Sequence, residues 1–453
     1  MSMNEQTFIR EFSQKLYDGF GSVFVGSGVS KQSGLPDWYE LIQPMVKSKL
    51  NIDITRNDDL ILFAQYLMNY SGGNRGPLID NIRQKLRRRY ETNPYHQALT
   101  WMNNTSLWTT NYDTLLEQAF NELYMVEVKT NDDVIARASR TSSVEIVKMH
   151  GCIERSNQDE IVITQEDYED FFVKRPAISQ RLRMDLLHKS FLFVGYSYGD
   201  PDTHNILVEA RRLSKNAPRE HFMIQKLEQD SDKKTRQQFW VNNLRRIGIE
   251  CLLVNDFPDI TRILFEIARR SRGPSIYITG SHLNENNSDF QTRVGHLLAE
   301  KTNSIVLDGQ STGASRHVIS SFMERILLLH GDAYARIKTF PNPYAAHENL
   351  SNNRDLLPVL RQWRADPLKA AQVVLAFDGG MGTELEVETA ISLGCFIIPV
   401  TIDTVGSSSD FLTKNKKIRD KLQETCPEYL TKAESLQLEP EDVIECIQKV
   451  IHQ

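Results

Sequence analysis

A chain of 453 residues, 40% hydrophobic and 25% charged, has an ordinary globular composition and is longer than one hydrophobic core usually covers, so two domains are expected. A net charge of −6 removes any global electrostatic reason to expect nucleic acid. The five cysteines, Cys152, Cys251, Cys395, Cys426 and Cys446, make no CxxC pair and no Cys/His cluster at zinc spacing, so neither a disulfide framework nor a bound metal is expected. The start MSMNEQTFIREF lacks a basic-then-apolar signal pattern, and no apolar run is long enough to span a bilayer. A cytoplasmic protein without a membrane partner is expected.

After a polar helix near residues 5 to 18, Ser22-Val23-Phe24-Val25 reads as a buried strand running into Gly26-Ser27-Gly28-Val29-Ser30. Glycines at such a turn let the backbone approach a pyrophosphate, and the amides that open the next helix favour its charge. An ordinary tight turn is the competing reading. Ser33 to Trp38 forms a small-residue loop able to close over a dinucleotide, and a helix is expected from Trp38 to about Leu50. Residues 56 to 105 read as mostly helical, with Leu60, Leu62, Phe63, Tyr66 and Leu67 on a core stripe. The run Lys85-Leu86-Arg87-Arg88-Arg89 reads as a solvated helical face, and His96 as a capping or packing histidine.

The stretch Thr109-Thr110-Asn111-Tyr112-Asp113 follows a short apolar run and opens a predicted helix from Thr114 to Phe120. Small polar residues there sit at the carboxyl end of a sheet, where open α/β folds bind ligands. Asn111 can orient a hydroxyl or a water, and Asp113 can accept from a ribose or a carboxamide; a plain helix cap is the alternative. A second predicted strand, Glu145 to Met149, ends in His150-Gly151, and an imidazole in that position can polarise a ribose hydroxyl. A third, Phe191 to Val194, ends in Gly195-Tyr196-Ser197 and Gly199-Asp200. Strands near His221 to Ile224 and Ile249 to Val254, and a helix from Ile260 to Arg270, complete a first domain over 1–272, with a linker at Ser271-Arg272-Gly273-Pro274.

A second α/β unit, 273–453, begins with the strand Ser275 to Thr279 and its Gly280-Ser281 turn. Further strands are predicted at Asn303 to Leu307, Gln372 to Phe377 and Phe396 to Val400, an alternation that predicts a second Rossmann-like parallel sheet. Between strand and helix, Asp378-Gly379-Gly380-Met381-Gly382-Thr383-Glu384-Leu385-Glu386 offers a phosphate-sized cradle of amides. Arg316, Arg354, Arg361, Arg364 and Lys369 are the cations available to phosphates there, and sequence alone does not choose among them.

The first half resembles the sirtuin-like dinucleotide-binding domains of bacterial defence proteins, on four motifs in order. These are Gly26 to Ser30 for Gly-Ala-Gly-x-Ser, Thr109 to Asp113 for Thr-Gln-Asn-x-Asp, His150-Gly151, and Gly195-Tyr196-Ser197 for Gly-x-Ser. The resemblance implies that Asn111 and His150 are catalytic, Asn111 holding ribose or attacking water and His150 acting as base. It further implies that Gly26, Ser27, Gly28, Ser30, Asp113, Gly195 and Ser197 bind NAD, here a substrate. Thr110 replaces the usual Gln, and the zinc-binding cysteine module of the protein deacylases is missing, which favours water as the acceptor.

The second half resembles the SLOG superfamily through its Pro-Gly-Gly-x-Gly-Thr-x-x-Glu loop, with Asp378 in place of the proline. That likeness implies a nucleotide sensor whose ligand meets Gly280, Ser281, Arg354, Lys369, Gly379, Gly380, Gly382, Thr383, Glu384 and Glu386. Glu386 as the catalyst of nucleoside monophosphate cleavage is the lesser alternative. The two halves in this order resemble the effectors of the Thoeris anti-phage system. This implies an NAD glycohydrolase activated by a cyclic ADP-ribose-type signal from a partner TIR-domain protein, assembled as a homo-oligomer, a tetramer by family habit. A protein deacylase or ADP-ribosyltransferase, and a sensor without catalysis, remain open alternatives.

Overall fold

The computed structural model of the protein describes residues 3–56, 58–137, 143–196, 212, 220–282, 287–342, 357–402 and 406–452. It divides into two compact units, Met1–Ser271 and Arg272–Gln453, each built on one parallel sheet.

In the first unit the strands are β1 Gly21–Val25, β2 Ser106–Thr109, β3 Met125–Lys129, β4 Ser143–Lys148, β5 Ser190–Val194, β6 His221–Lys226 and β7 Ile249–Val254. Their order is β3-β4-β2-β1-β5-β6-β7, and every neighbouring pair is parallel. β1 and β5 are buried at every residue, as a sheet covered by helices on both faces requires. Phe8, Phe12, Leu99 and Ile263 pack in a core cluster with Val23 and Leu192 of this sheet, while Leu182 and Val241 pack in another with Phe24, Trp108 and Phe193. From β1 the chain runs to β2 on one side and returns to β5 on the other. The carboxyl ends of β2, β1 and β5 therefore open where the strand order reverses, the usual ligand crevice of such sheets.

Two sequence expectations need correction here. The stripe over residues 60 to 67 is only partly core: Leu67 is buried, Leu60 and Phe63 lie partly buried against a core cluster, and Tyr66 is 42% exposed. Ala64, Leu67 and Met68 are the buried face, because the helix Leu60–Tyr70 packs on one flank of a small cluster rather than inside a wide core. The predicted helix from Trp38 to Leu50 is α-helical only to Met45 and widens into a π-helical turn over Val46–Leu50. Pro44 lies within its last α-helical turn; it lacks an N–H donor and disfavours continued regular pairing.

The second unit holds β8 Ser275–Thr279, β9 Ile305–Asp308, β10 Ile337–Thr339, β11 Val373–Ala376 and β12 Phe396–Pro399, in the parallel order β10-β9-β8-β11-β12. Counted within the unit this is 3-2-1-4-5, the dinucleotide-fold order, and its reversal falls between β8 and β11. The chain is thus an α/β protein with two Rossmann-like sheets.

What joins β1 to β5 at their carboxyl ends is backbone against backbone. Gly26 N–H donates to Val194 O and Gly28 N–H to Gly195 O, both at 2.8 Å. A Cβ on Gly26 or Gly28 would stand 2.7 Å from Gly195 O, and one on Gly195 would stand 2.7 Å from Val29 N. Gly195 also has φ +79°, a left-handed conformation that costs other residues free energy. Gly195→Ala is expected to destabilise the fold by about 2 kcal/mol or more, the sum of strain and clash. Urea denaturation measures this, and an unchanged midpoint would show that the two turns have room to separate.

Candidate functional site

The loops after β1, β2, β4, β5 and β6 surround one cavity of about 1060 Å³. Its wall runs from His150 and Tyr168 at one end, past Asn111, Asp113, Gly28 and Gly195, to Lys226 and Phe257 at the other. The loop from Leu35 to Trp38 contributes to the same wall. Asp37 caps the following helix through Glu40 N–H at 3.0 Å and forms ion pairs with Lys31 and Arg56, which fastens this loop at the cavity's side.

Asn111 is fixed by its own turn. Its backbone N–H donates to Thr109 Oγ1 at 3.0 Å, and its side-chain Nδ2 donates to Gly26 O at 3.2 Å and Ser30 Oγ at 3.1 Å. Because a carbonyl oxygen can only accept, the Gly26 contact sets the amide's orientation and turns Oδ1 the other way. That oxygen is buried and has no hydrogen-bond partner among the described residues. A buried acceptor left open on a cavity wall is a place for a hydroxyl or a water. Asp113 is buried and accepts from Leu115 N–H at 3.0 Å, so it caps the helix Leu115–Asn121 as well as lining the cavity.

His150 follows β4 and is 3% exposed. Its ring meets Tyr168 edge-on at 5.3 Å and Phe171 at 6.1 Å. Burial, helped by the Arg175 guanidinium and only partly opposed by Asp167, pulls its pKa down to about 3. The imidazole is therefore neutral across physiological pH. Gly151 next to it has φ +85°, and its chain turns so tightly that a Cβ would stand 2.7 Å from Glu160 O. Asp167 is itself held by Arg75 at 2.6 Å and by the N–H groups of Ile163 and Thr164.

Four strand ends thus bring Gly26, Ser27, Gly28, Ser30, Asn111, Asp113, His150 and Gly195 to one region, although Ser27 is exposed and Ser30 acts by receiving Asn111's amide. The glycines at 26, 28 and 195 are required first by the backbone contact between the turns. Ser197 and Arg354 lie outside the described residues. His96 does cap: Asn93 N–H donates to its Nδ1 at 3.2 Å, and burial lowers its pKa to about 4 against the pull of Asp113. Sequence reasoning passed over the aromatic walls Trp38, Tyr112 and Tyr168, and over Lys148. A lysine inside the apolar run Ile146-Val147-Lys148-Met149 was the available signal.

In the second unit the turns after β8, β9 and β11 meet. His282 N–H donates to Asp378 O at 3.0 Å, and Gly380 N–H to Ser281 Oγ at 3.2 Å. Gly280 is required by contact, since its Cβ would stand 2.6 Å from Phe377 Cβ. Gly379 N–H donates to Ser407 Oγ at 2.9 Å, Thr383 is buried, Gly382 faces open space, and Glu384 is exposed. Glu386 is 3% exposed and receives Tyr277 OH at 3.1 Å, Thr279 Oγ1 and the Arg364 guanidinium. Arg364 further donates to Gly309 O at 2.8 Å and Ser311 Oγ at 2.6 Å. Among the cations singled out in sequence, Arg364 reaches these turns, whereas Lys369 pairs with Asp366 of its own helix at 3.0 Å. Asp378, in the proline's place, receives Ser408 N–H at 2.9 Å and O–H at 2.6 Å.

Among the described residues no His, Cys, Asp and Glu side chains cluster as a metal site needs, and no helix is long and apolar enough to cross a membrane.

The parallel sheet of the first unit is consistent with a SIR2-like domain, and the SIR2-like domain family matches residues 105–247. The chain is 28% identical over 375 residues to NAD(+) hydrolase ThsA of Bacillus cereus (strain MSX-D12), covering 78% of each protein. It is 28% identical over 432 residues to NAD(+) hydrolase ThsA of Acinetobacter baumannii (strain 532279), covering 87% of each. With Defense-associated sirtuin 2 of Bacillus subtilis it shares 27% identity over 223 residues, 48% of this chain and 22% of that protein. The similarity to the ThsA proteins thus runs over most of this chain and of theirs.

The two buried imidazoles make a pH prediction. Unfolded, each titrates near 6.5; folded, His96 and His150 titrate at about 4 and about 3. Below pH 6.5 the unfolded chain binds protons that the folded chain refuses, so stability is full above that pH and falls as pH drops. At pH 5 the loss is about 2 kcal/mol per histidine. Urea midpoints at pH 7.5 and 5 are expected to differ less in His96→Gln than in the unsubstituted protein; equal differences would place His96 outside this linkage.

Proposed function

We propose that the first unit hydrolyses NAD+ to ADP-ribose and nicotinamide, and that the second unit binds a cyclic ADP-ribose-type signal that governs this activity in anti-phage defence. The observation that carries the reaction is the unpaired Asn111 Oδ1 on the cavity wall that His150 also lines. The nicotinamide ribose belongs at that end of the cavity, the pyrophosphate at the Gly26 to Ser30 turn, and the adenosine toward the β6 loop. Relatives named as NAD(+) hydrolases support the reaction class.

The chemistry asks little of the protein. The bond from ribose C1′ to the nicotinamide nitrogen breaks, its electron pair leaves with a neutral base, and an oxocarbenium-like centre remains. Water forms the new bond to C1′ and gives up a proton. A water attacking such a centre becomes strongly acidic, so even an imidazole of low pKa suffices to accept that proton. Asn111 Oδ1 holds the water or a ribose hydroxyl in line, which is where most of the rate gain of a positioned reaction arises.

In the second unit, phosphates of the signal would meet the turn from Gly379 to Thr383, and Arg364, held by Glu386 and by the turn after β9, is the cation we assign to them. Control requires that the signal bind the active arrangement more tightly than the idle one. Repacking within a homotetramer is the switching element we favour, with the signal supplied by a partner TIR-domain protein.

The test is nicotinamide release from the purified protein with and without cyclic ADP-ribose isomers. Release that rises with one isomer supports both halves; release indifferent to all of them leaves hydrolysis and removes the sensor. Asn111→Ala and His150→Ala are expected to fold and to lose at least about a hundredfold in turnover. Near-full activity in either variant would put the reacting centre elsewhere, and acyl transfer from an acetylated peptide would favour a deacylase.

A further inference from the structure

Lys148 is the last residue of β4, two residues before His150, and it is fully buried. Its Nζ donates to Glu117 Oε1 at 2.9 Å and to the backbone carbonyl of Asp113. Glu117 stands in the first turn of the helix that Asp113 caps, and it is 2% exposed. The pair therefore bridges the turn that carries Asn111 and the turn that carries His150.

As pure stabilisation this is a poor arrangement. Two charges removed from water recover their hydration only if every lone pair is satisfied, and apolar side chains of similar size serve as well or better. Here Glu117 Oε2 is buried without a hydrogen-bond partner among the described residues, and the nearest further contact of Oε1 is Cys152 Sγ at 4.0 Å. What an apolar pair lacks is direction. Backbone bonds from Met149 N–H to Thr109 O and from Ile153 N–H to Tyr112 O already join the two turns, and the ammonium adds a grip on the Asp113 carbonyl of the Asn111 turn while its own strand leads into His150.

We propose that Lys148 and Glu117 are positioning residues that fix Asn111 and His150 in register for the reaction, a proposal that rests on the catalytic reading of those two groups. Neither side chain lines the cavity, so dinucleotide binding does not depend on them directly.

The decisive comparison uses the full chain and three variants: Lys148→Met, Glu117→Leu and the double substitution. Single variants leave one buried charge unpaired and are expected to lower the melting temperature, to the point of failing to fold. The double variant restores an apolar match and is expected to melt near the unsubstituted protein. In that folded double variant kcat for nicotinamide release is expected to fall about ten- to a hundredfold, with KM changed less than about threefold. A double variant that recovers both melting temperature and kcat overturns the proposal, because the pair is then only structural. A loss confined to KM overturns it as well, since the pair then acts on binding. If the unsubstituted protein releases no nicotinamide under any condition, the catalytic reading fails and takes this proposal with it. Loss of kcat in the double variant alone is thereby told apart from that case.

Discussion

The first unit depends on how closely two turns approach. Gly26 and Gly28 on one side and Gly195 on the other leave no room for a side chain, so the turns after β1 and β5 meet through backbone hydrogen bonds. That contact exposes Gly26 O to Asn111, and without it the amide would lack the acceptor that sets its orientation. Ser30, one turn into the next helix, completes the grip. The glycines that look like a phosphate loop thus act first as spacers. Their service to a dinucleotide is a consequence of the same closeness.

Much of this was legible in the chain because each strand is short, apolar and followed by turn residues. Phe191-Leu192-Phe193-Val194-Gly195 can be little else than a buried strand and its turn, since a helix of that composition would carry no polar face. Two of the edge strands, β3 and β10, were not legible. Met125 to Lys129 alternates charge with apolar residues, and Ile337 to Thr339 is three residues long, so neither presents the continuous run that marks a central strand. Their pairing is decided by the neighbouring strand's free edge, which is a tertiary fact.

The site divides along the same line. Asn111 and His150 stood out because strand-end positions carry chemistry in open α/β folds. The partnerships that define their state did not, since contacts such as Lys148 with Glu117, Arg175 near His150, and Arg364 with Glu386 join residues 22 to 31 positions apart. Arg364 shows the limit best. Five cations were equivalent in sequence, and only the return of its helix beside β8 sets this one against Gly309, Ser311 and Glu386.

The two units use one topology for opposite electrostatic ends. At the β1–β5 reversal Asn111 Oδ1 has no hydrogen-bond partner among the described residues, and the imidazole of His150 stays neutral. At the β8–β11 reversal the buried carboxylate of Glu386 is already engaged by Tyr277, Thr279 and Arg364. Three of its four acceptor positions are taken, and the guanidinium it holds stays fixed against the turn after β9. An open acceptor suits a group that must meet reacting atoms. A closed ion pair suits a surface that must hold its shape.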